Sequence, residues 1–202
     1  MLDKYATELI KPAVDVLASK LARAGIKADH ITLAAFVIGM TAAILIATGA
    51  YFAGAIAILI SRLCDALDGA VARQTQSTDA GGFLDISLDF LFYASIPLAF
   101  AVANPVVNAL PAATLLAAFM GTGSCFLAYA ALAAKRGISS SVQYPHQSFY
   151  FMGGLAEATE TLAFFMAFCI WPEHFAPLAY AFTALCCVTI ATRIYGGWHS
   201  LR

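Results

Sequence analysis

The sequence predicts an all-α, polytopic membrane protein, with six transmembrane helices preceded by an amphipathic juxtamembrane helix. Three observations carry this expectation. Hydrophobic residues fill 61% of the 202 positions and charged residues 11%, with a mean hydropathy of +0.81, far from the balance of a soluble domain. Apolar sequence runs from Ile31 to Leu63, too long for one crossing, and returns in further long stretches toward the C-terminus. Apart from Arg62, the eleven Lys and Arg residues cluster at alternate ends of those stretches. With a net charge of -1 and no basic run interleaved with aromatics, nucleic-acid binding is set aside.

Residues 1–28 read as the juxtamembrane unit. Ile10, Val14, Leu17 and Leu21 recur at helical spacing beside a basic stripe of Lys20, Arg23 and Lys27, so this helix lies on the bilayer surface or packs on the protein. Pro12 fits its first turn. Asp3, Lys4, Glu8 and Lys11 come early, with no apolar core ahead of a small-residue cleavage site, which is unlike a signal peptide.

Residues 29–202 read as the membrane domain. Spans are expected at 30–49, capped by Asp29, and at 52–74, with the break between Thr48-Gly49 and Gly54. The third, 82–103, ends at Asn104-Pro105, and the fourth, 110–134, at Lys135-Arg136-Gly137. The fifth and sixth follow at 149–171 and 177–195, and 137–148, with Ser139, Gln143 and Pro145, is the long polar loop. No internal repeat is visible. If the N-terminus is cytosolic, the outer connections 49–51, 104–109 and 172–176 carry no Lys or Arg, while every other segment end does. This places both termini in the cytosol, in an inner (cytoplasmic) membrane. Cys64, Cys125, Cys169, Cys186 and Cys187 lack metal-ligand spacing and read as reduced packing residues. His30, His146, His174 and His199 read as surface or interfacial.

Four carboxylates interrupt this apolar background. Asp65 and Asp68 are three apart and Asp85 and Asp89 four apart, so each pair projects from one face of its own helix. On a soluble protein such pairs are usually a solvated face. Within a membrane, ionisable groups are expensive and point to function. At about 1.5 Å rise per residue, Asp65 lies roughly 20 Å and Asp68 roughly 24 Å along the second span. Asp85 lies roughly 6 Å and Asp89 roughly 12 Å into the third, which returns from the cytosolic side. Antiparallel helices thus set Asp68 level with Asp85 and Asp65 level with Asp89, in a site open to the cytosol. Oxygen ligands without His or Cys suit Mg²⁺ or Mn²⁺, and two divalent cations balance four carboxylates. Two such ions favour displacement at phosphorus. Gly69 and Gly81 leave room for a bulky ligand beside the acids, and Arg73 can meet a phosphate, although glycine also serves helix packing and Arg73 also serves topology.

The pattern Asp65-x-x-Asp68-Gly69-x-x-Ala72-Arg73, seven residues, then Gly81-x-x-x-Asp85-x-x-x-Asp89 resembles the signature of the CDP-alcohol phosphotransferases, integral membrane enzymes of phospholipid head-group synthesis. The resemblance implies a six-helix, usually dimeric enzyme that moves a substituted phosphoryl group from a CDP-linked donor to an alcohol and releases CMP. It further implies that Asp65, Asp68 and Asp85 are metal ligands and that Asp89 is both ligand and general base. By the same likeness Asp65, Gly69, Ala72, Arg73 and Gly81 border the CDP.

CDP-diacylglycerol with a small alcohol acceptor is the preferred arrangement, on the compactness of the chain; a CDP-choline or CDP-ethanolamine donor with diacylglycerol is the alternative. Lys135, Arg136 and Arg193 are expected to gather at cytosolic helix ends, where they anchor topology or hold a phosphorylated acceptor. In the fifth span Glu160 is expected to pair with Arg62 at similar depth, and Glu157 to face the cavity as an acceptor contact. A divalent-cation transporter is the rival of another class, disfavoured by the missing repeat and the cytosolic position of the acids.

Overall fold

The computed structural model describes residues 3–137 and 156–202, and among these the chain is helical throughout, with no strand. Helix α1 spans Asp3–Arg23, α2 Ala28–Ala47, α3 Tyr51–Gln74, α4 Asp79–Ala103 and α5 Pro105–Lys135. Helix α6 spans Ala158–Ile170, and a single 3₁₀ turn, Pro172–His174, leads into α7, Phe175–Ser200. The polar loop expected at 137–148 and the first part of the fifth span, 149–155, lie outside the described residues from 138 onward.

Four segments are long and apolar enough to cross a membrane: α2, α4, α5 and Pro172–Ser200. Helix α3 has 24 residues, enough length, but Arg62, Asp65, Asp68 and Arg73 interrupt its apolar character. The described part of α6 has 13 residues.

Local chemistry sets the boundaries. Gly25 and Gly49 adopt φ +77° and φ +84°, and the next residue's N–H reaches five back (Ile26 to Leu21 O, 3.1 Å; Ala50 to Leu45 O, 2.8 Å), closing α1 and α2 with the left-handed glycine turn. Thr78 caps α4 by accepting from Gly81 N at 3.0 Å. Asn104 ends α4 and starts α5, and Pro105 is tolerated there because a first-turn N–H has no helical partner. Two local expectations are corrected. The residue at the start of α2 is Lys27, with Asp29 inside the first turn and no side-chain cap formed. Pro12 lies within α1, because the helix already begins at Asp3.

Helix α2 packs against α3 and α4, α4 against α5, and α5 against α7, while α6 bridges α3 and α7. The centre is an aromatic core in which Phe92, Phe100, Phe165, Phe168, Phe175 and Phe182 are fully buried or nearly so. Phe100 stacks on Phe175 at 4.6 Å between centroids and Phe164 on Phe182 at 4.4 Å. Helix α1 docks on the C-terminal end of α3. Ala18 is buried with Ala70 and Val71, Val14 and Leu21 pack alongside, and Ser19 Oγ donates to Gln74 Oε1 at 2.9 Å. Its stripe divides there, since Ile10 and Leu17 remain exposed.

Candidate active site

Helices α2, α3 and α4 enclose a cleft lined by Thr32, Ala35 and Phe36 from the first, Arg62 and Asp65 from the second, and Asp85, Leu88 and Asp89 from the third. Carboxylate oxygens of Asp65, Asp68 and Asp85 lie within 4.8 Å of one another. Of the facing pairs anticipated from helical rise, Asp68 and Asp85 are brought together across α3 and α4, with Asp65 as the third member of the group. Asp68 is 5% exposed, and among the described residues its Oδ2 is buried without a hydrogen-bond partner. A buried anionic oxygen without a donor is costly. Three hard oxygen donors from two helices around that atom fit a divalent cation, and among the described residues no His or Cys joins the group.

Asp89 lines the same cleft but is not one of this trio. Arg62 Nη1 donates to Asp89 Oδ1 at 2.7 Å and lies 3.5 Å from Asp65 Oδ1. The guanidinium carbon is 4.0 Å from the centroid of Phe92, and Nη2 donates to Ser61 Oγ at 3.3 Å. Ser61 Oγ in turn donates to Ala35 O at 2.8 Å, tying the arrangement to α2. The expected Arg62–Glu160 pair is thus replaced by Arg62–Asp89. Depth along a helix predicted a partner at the right height, but the direction in which Arg62 projects belongs to α4. A signal was present in the sequence: Arg62 precedes Asp65 by three, on the same helical face.

The remaining motif positions follow Asp68 on α3 and open α4 ahead of Asp85. A Cβ at Gly69 would meet Arg73 Nη1 at 3.3 Å, so the Arg73 guanidinium folds back over bare backbone one residue past Asp68. Gly81 occupies the first turn of α4, where a Cβ would stand 2.9 Å from Asp29 Oδ1. Ala72, half-buried, lies on α3 one turn past Asp68.

The anticipated acceptor residues separate. Arg193 Nη1 donates to Thr122 O at 3.1 Å, whereas Lys135 and Arg136 are exposed at the far end of α5, roughly 20 Å along the axis from Thr122. They do not gather, because α5 continues past the end of α7: Tyr129 Oη already meets Ser200 Oγ at 3.1 Å. Glu157 precedes α6 and lies close enough to act on Arg193 through its charge. Ala156 N donates to Thr189 Oγ1 at 3.1 Å, holding this segment on α7, and Glu157 does not line the acidic cleft. The two sites are linked through α5. Gly123 takes the Phe90 ring where a side chain would stand, and its neighbour Thr122 holds Arg193. All five cysteines are free, as expected.

Comparison with known proteins agrees with this geometry. Residues 26–193 match the family CDP-alcohol phosphatidyltransferase. The inner membrane protein YnjF of Escherichia coli (strain K12) is 50% identical over 202 residues, 100% of this chain and 98% of that protein. The archaetidylinositol phosphate synthase of Methanothermobacter thermautotrophicus is 39% identical over 92 residues, 45% of each chain. Among solved structures, Mycobacterium tuberculosis phosphatidylinositol phosphate synthase (PgsA1) with CDP-DAG bound shares the fold with a TM-score of 0.65, covering 92% of this chain and 93% of that one at 21% identity. With its signature acids converging between α3 and α4 and the match spanning most of its length, the chain belongs to the CDP-alcohol phosphatidyltransferase family of membrane enzymes in phospholipid synthesis.

Proposed function

We propose that this protein transfers a phosphatidyl group from a CDP-linked donor, with CDP-diacylglycerol the first choice, to the hydroxyl of a small alcohol, and releases CMP. The observation that carries the reading is the convergence of Asp65, Asp68 and Asp85 within 4.8 Å, with Asp89 on the next turn of α4 in the same cleft. Mg²⁺ or Mn²⁺, taken as two ions, would supply counter-charge for a diphosphate and polarise its phosphorus. Asp65, Asp68 and Asp85 are the residues to hold it. Asp65, Gly69, Ala72 and Gly81 border the cytidine diphosphate, and Arg73 pairs with phosphate oxygen.

Asp89 takes the proton from the acceptor hydroxyl. The hydroxyl oxygen bonds to the lipid-linked phosphorus as the bond from that phosphorus to the CMP oxygen breaks, and CMP departs with the electron pair. Arg193, with Glu157 beside it, is the acceptor-side group. The two relatives named as inositol phosphate lipid synthases support a polyol or its phosphate in that place, and the CDP-DAG of the solved relative supports the donor.

In the membrane, α2, α3, α4, α5, the 149–171 segment containing α6, and α7 form six spans of the 29–202 domain, with α1 in the 1–28 unit lying at the interface. The Lys and Arg distribution supports cytosolic termini and a cytosolic site. The relative named as an inner membrane protein supports that location. A homodimer is carried over from the family likeness.

The deciding experiment is CMP release from CDP-diacylglycerol by purified protein with Mg²⁺ or Mn²⁺, over a panel of serine, glycerol phosphate, inositol, inositol phosphate and choline. Acceptor-dependent CMP establishes the reaction. If the panel fails while CDP-choline or CDP-ethanolamine with diacylglycerol releases CMP, the donor assignment is wrong. Failure of both points to an acceptor outside the panel or to a divalent-cation transporter.

A further inference from the structure

One carboxylate at the level of the acidic cleft lies outside its metal-binding group and beside a cation on another helix. Helices α4 and α6 run in the same direction: Phe92 meets Phe165 at 6.3 Å between ring centroids and, farther along both, Phe100 meets Phe168 at 5.8 Å. Glu157 is eight residues before Phe165 and eleven before Phe168; the same counts back from Phe92 and Phe100 reach Leu84 and Asp89. Glu157 is therefore level with the acids of α4, on the side where α6 bridges α3 and α7. Its backbone is fixed there twice. Glu157 O accepts from Thr161 N at 2.9 Å and from Thr161 Oγ1 at 2.7 Å, and neighbouring Ala156 N donates to Thr189 Oγ1 at 3.1 Å. Thr189 is one helical turn before Arg193 on α7, so the two share a face, and the Glu157 charge acts on the Arg193 guanidinium. Arg193 Nη1 is engaged by Thr122 O, and its Nε is buried with no hydrogen-bond partner among the described residues.

We infer that Glu157 selects the acceptor: set against Arg193, it makes the acceptor side formally neutral, so that an unphosphorylated alcohol of no net charge is admitted and a phosphate ester is rejected. This rests on the reading of Arg193 as the acceptor-side group of the transferase. The physical reason is charge balance. A phosphate monoester carries about −1.5 to −2 charges at neutral pH and is ordinarily met by a cluster of Arg or Lys. Here the chain has no Lys or Arg between Arg136 and Arg193, an interval that holds Glu157, Glu160 and Glu173, and Lys135 and Arg136 lie farther along α5. One guanidinium beside a carboxylate cannot offset such a group, and half-burial of both side chains limits the screening of the repulsion by salt. Hydroxyls suit the pair, because each can donate to the carboxylate and accept from the guanidinium. A zwitterion suits it as well, with its ammonium on Glu157 and its carboxylate on Arg193. Zero net charge is the shared requirement.

The test uses the full chain in lipid nanodiscs with Mg²⁺ and CDP-diacylglycerol, and reads kcat/KM from CMP release. Glycerol is compared with glycerol phosphate, inositol with inositol phosphate, and both pairs with serine. The best of the five is expected to be unphosphorylated, with kcat/KM at least about tenfold above either phosphate ester. Whether it is a polyol or serine tells hydroxyl recognition from zwitterion recognition. Glu157→Gln keeps the shape and removes the charge, and is expected to shrink that ratio by about tenfold, through lower KM for the esters at unchanged donor KM. Glu157→Arg is expected to reverse the preference. A phosphate ester as the best acceptor of wild type, or an unchanged ratio in Glu157→Gln, overturns the inference; a purely structural Glu157 lowers all five rates together and leaves their ratio alone. If Glu157→Gln does not fold, Glu157→Ser replaces it, because serine is favoured at the helix N-cap that this residue occupies. CMP from the esters alone removes the selection and keeps the transferase, whereas no CMP from any of the five counts against the transferase reading, and the selection falls with it.

Discussion

Gly81 lies directly against Asp29: a Cβ at position 81 would stand 2.9 Å from Asp29 Oδ1 and 3.1 Å from Thr78 Oγ1. The glycine of the signature is therefore required locally by the meeting of the α2 and α4 N-termini, in addition to any room it leaves for a nucleotide. Gly81→Ala pushes on the Thr78 cap and on Asp29 together. It is expected to destabilise the protein by about 1 kcal/mol, the usual cost of a lost cap, with CMP release reduced. Adding Asp29→Ala relieves part of that loss. Thermal unfolding of both single variants and the double variant gives the coupling, and strict additivity would show that Asp29 is not the obstructing group.

Gly39 on α2 lets the Phe92 ring in. A Cβ there would stand 2.5 Å from Phe92 Cδ2 and 3.1 Å from Ser61 Oγ, the two groups that hold Arg62. Because Phe92 is fully buried, the ring cannot yield freely, and Gly39→Ala is expected to cost about 1–3 kcal/mol by overpacking. Turnover per folded molecule should fall as well. Unchanged turnover at reduced stability would separate the α2 packing from the site.

Chelation by EDTA is expected to stop CMP release, and Mn²⁺ or Mg²⁺ to restore it. Asp68→Asn removes a ligand from the trio and should weaken Mn²⁺ by at least about tenfold. Asp89→Asn should instead leave Mn²⁺ binding within about threefold, with turnover down by about 10²–10⁴-fold. Metal titrations of the two variants side by side distinguish ligand from proton acceptor, and equal losses of affinity would make Asp89 a ligand of the same rank.

The acceptor side is tested by contrasting two arginines. Arg193→Ala is expected to raise acceptor KM by about tenfold without changing donor KM, because Arg193 is held by Thr122 beside the Gly123–Phe90 contact that leads to Asp89. Arg136→Ala, at the exposed end of α5, should leave both constants unchanged. A rise in acceptor KM for Arg136→Ala would return it to the acceptor site.

The spacing of Asp65, Asp68, Asp85 and Asp89, the chain breaks at Gly49 and at Asn104-Pro105, and the signature that marks the family are all read directly from residue order. Their legibility has a common cause: helical rise and turn chemistry depend on neighbours a few residues away, so the level of each acid in its helix follows from counting. That counting anticipates Asp68 meeting Asp85 across α3 and α4, whereas it sets Asp65 opposite Asp89, and the observed group instead joins Asp65 to Asp68 and Asp85. Partnership across helices is different. Arg62 turns to Asp89 rather than Glu160, Arg193 is held at Thr122 while Lys135 and Arg136 lie farther along α5, and Asp29 meets Gly81 instead of capping its own helix. Each of these depends on the azimuth and axial offset of one helix against another. Interlocking of buried rings such as Phe90 at Gly123 and Phe92 at Gly39 sets both, and only the packed bundle contains that information.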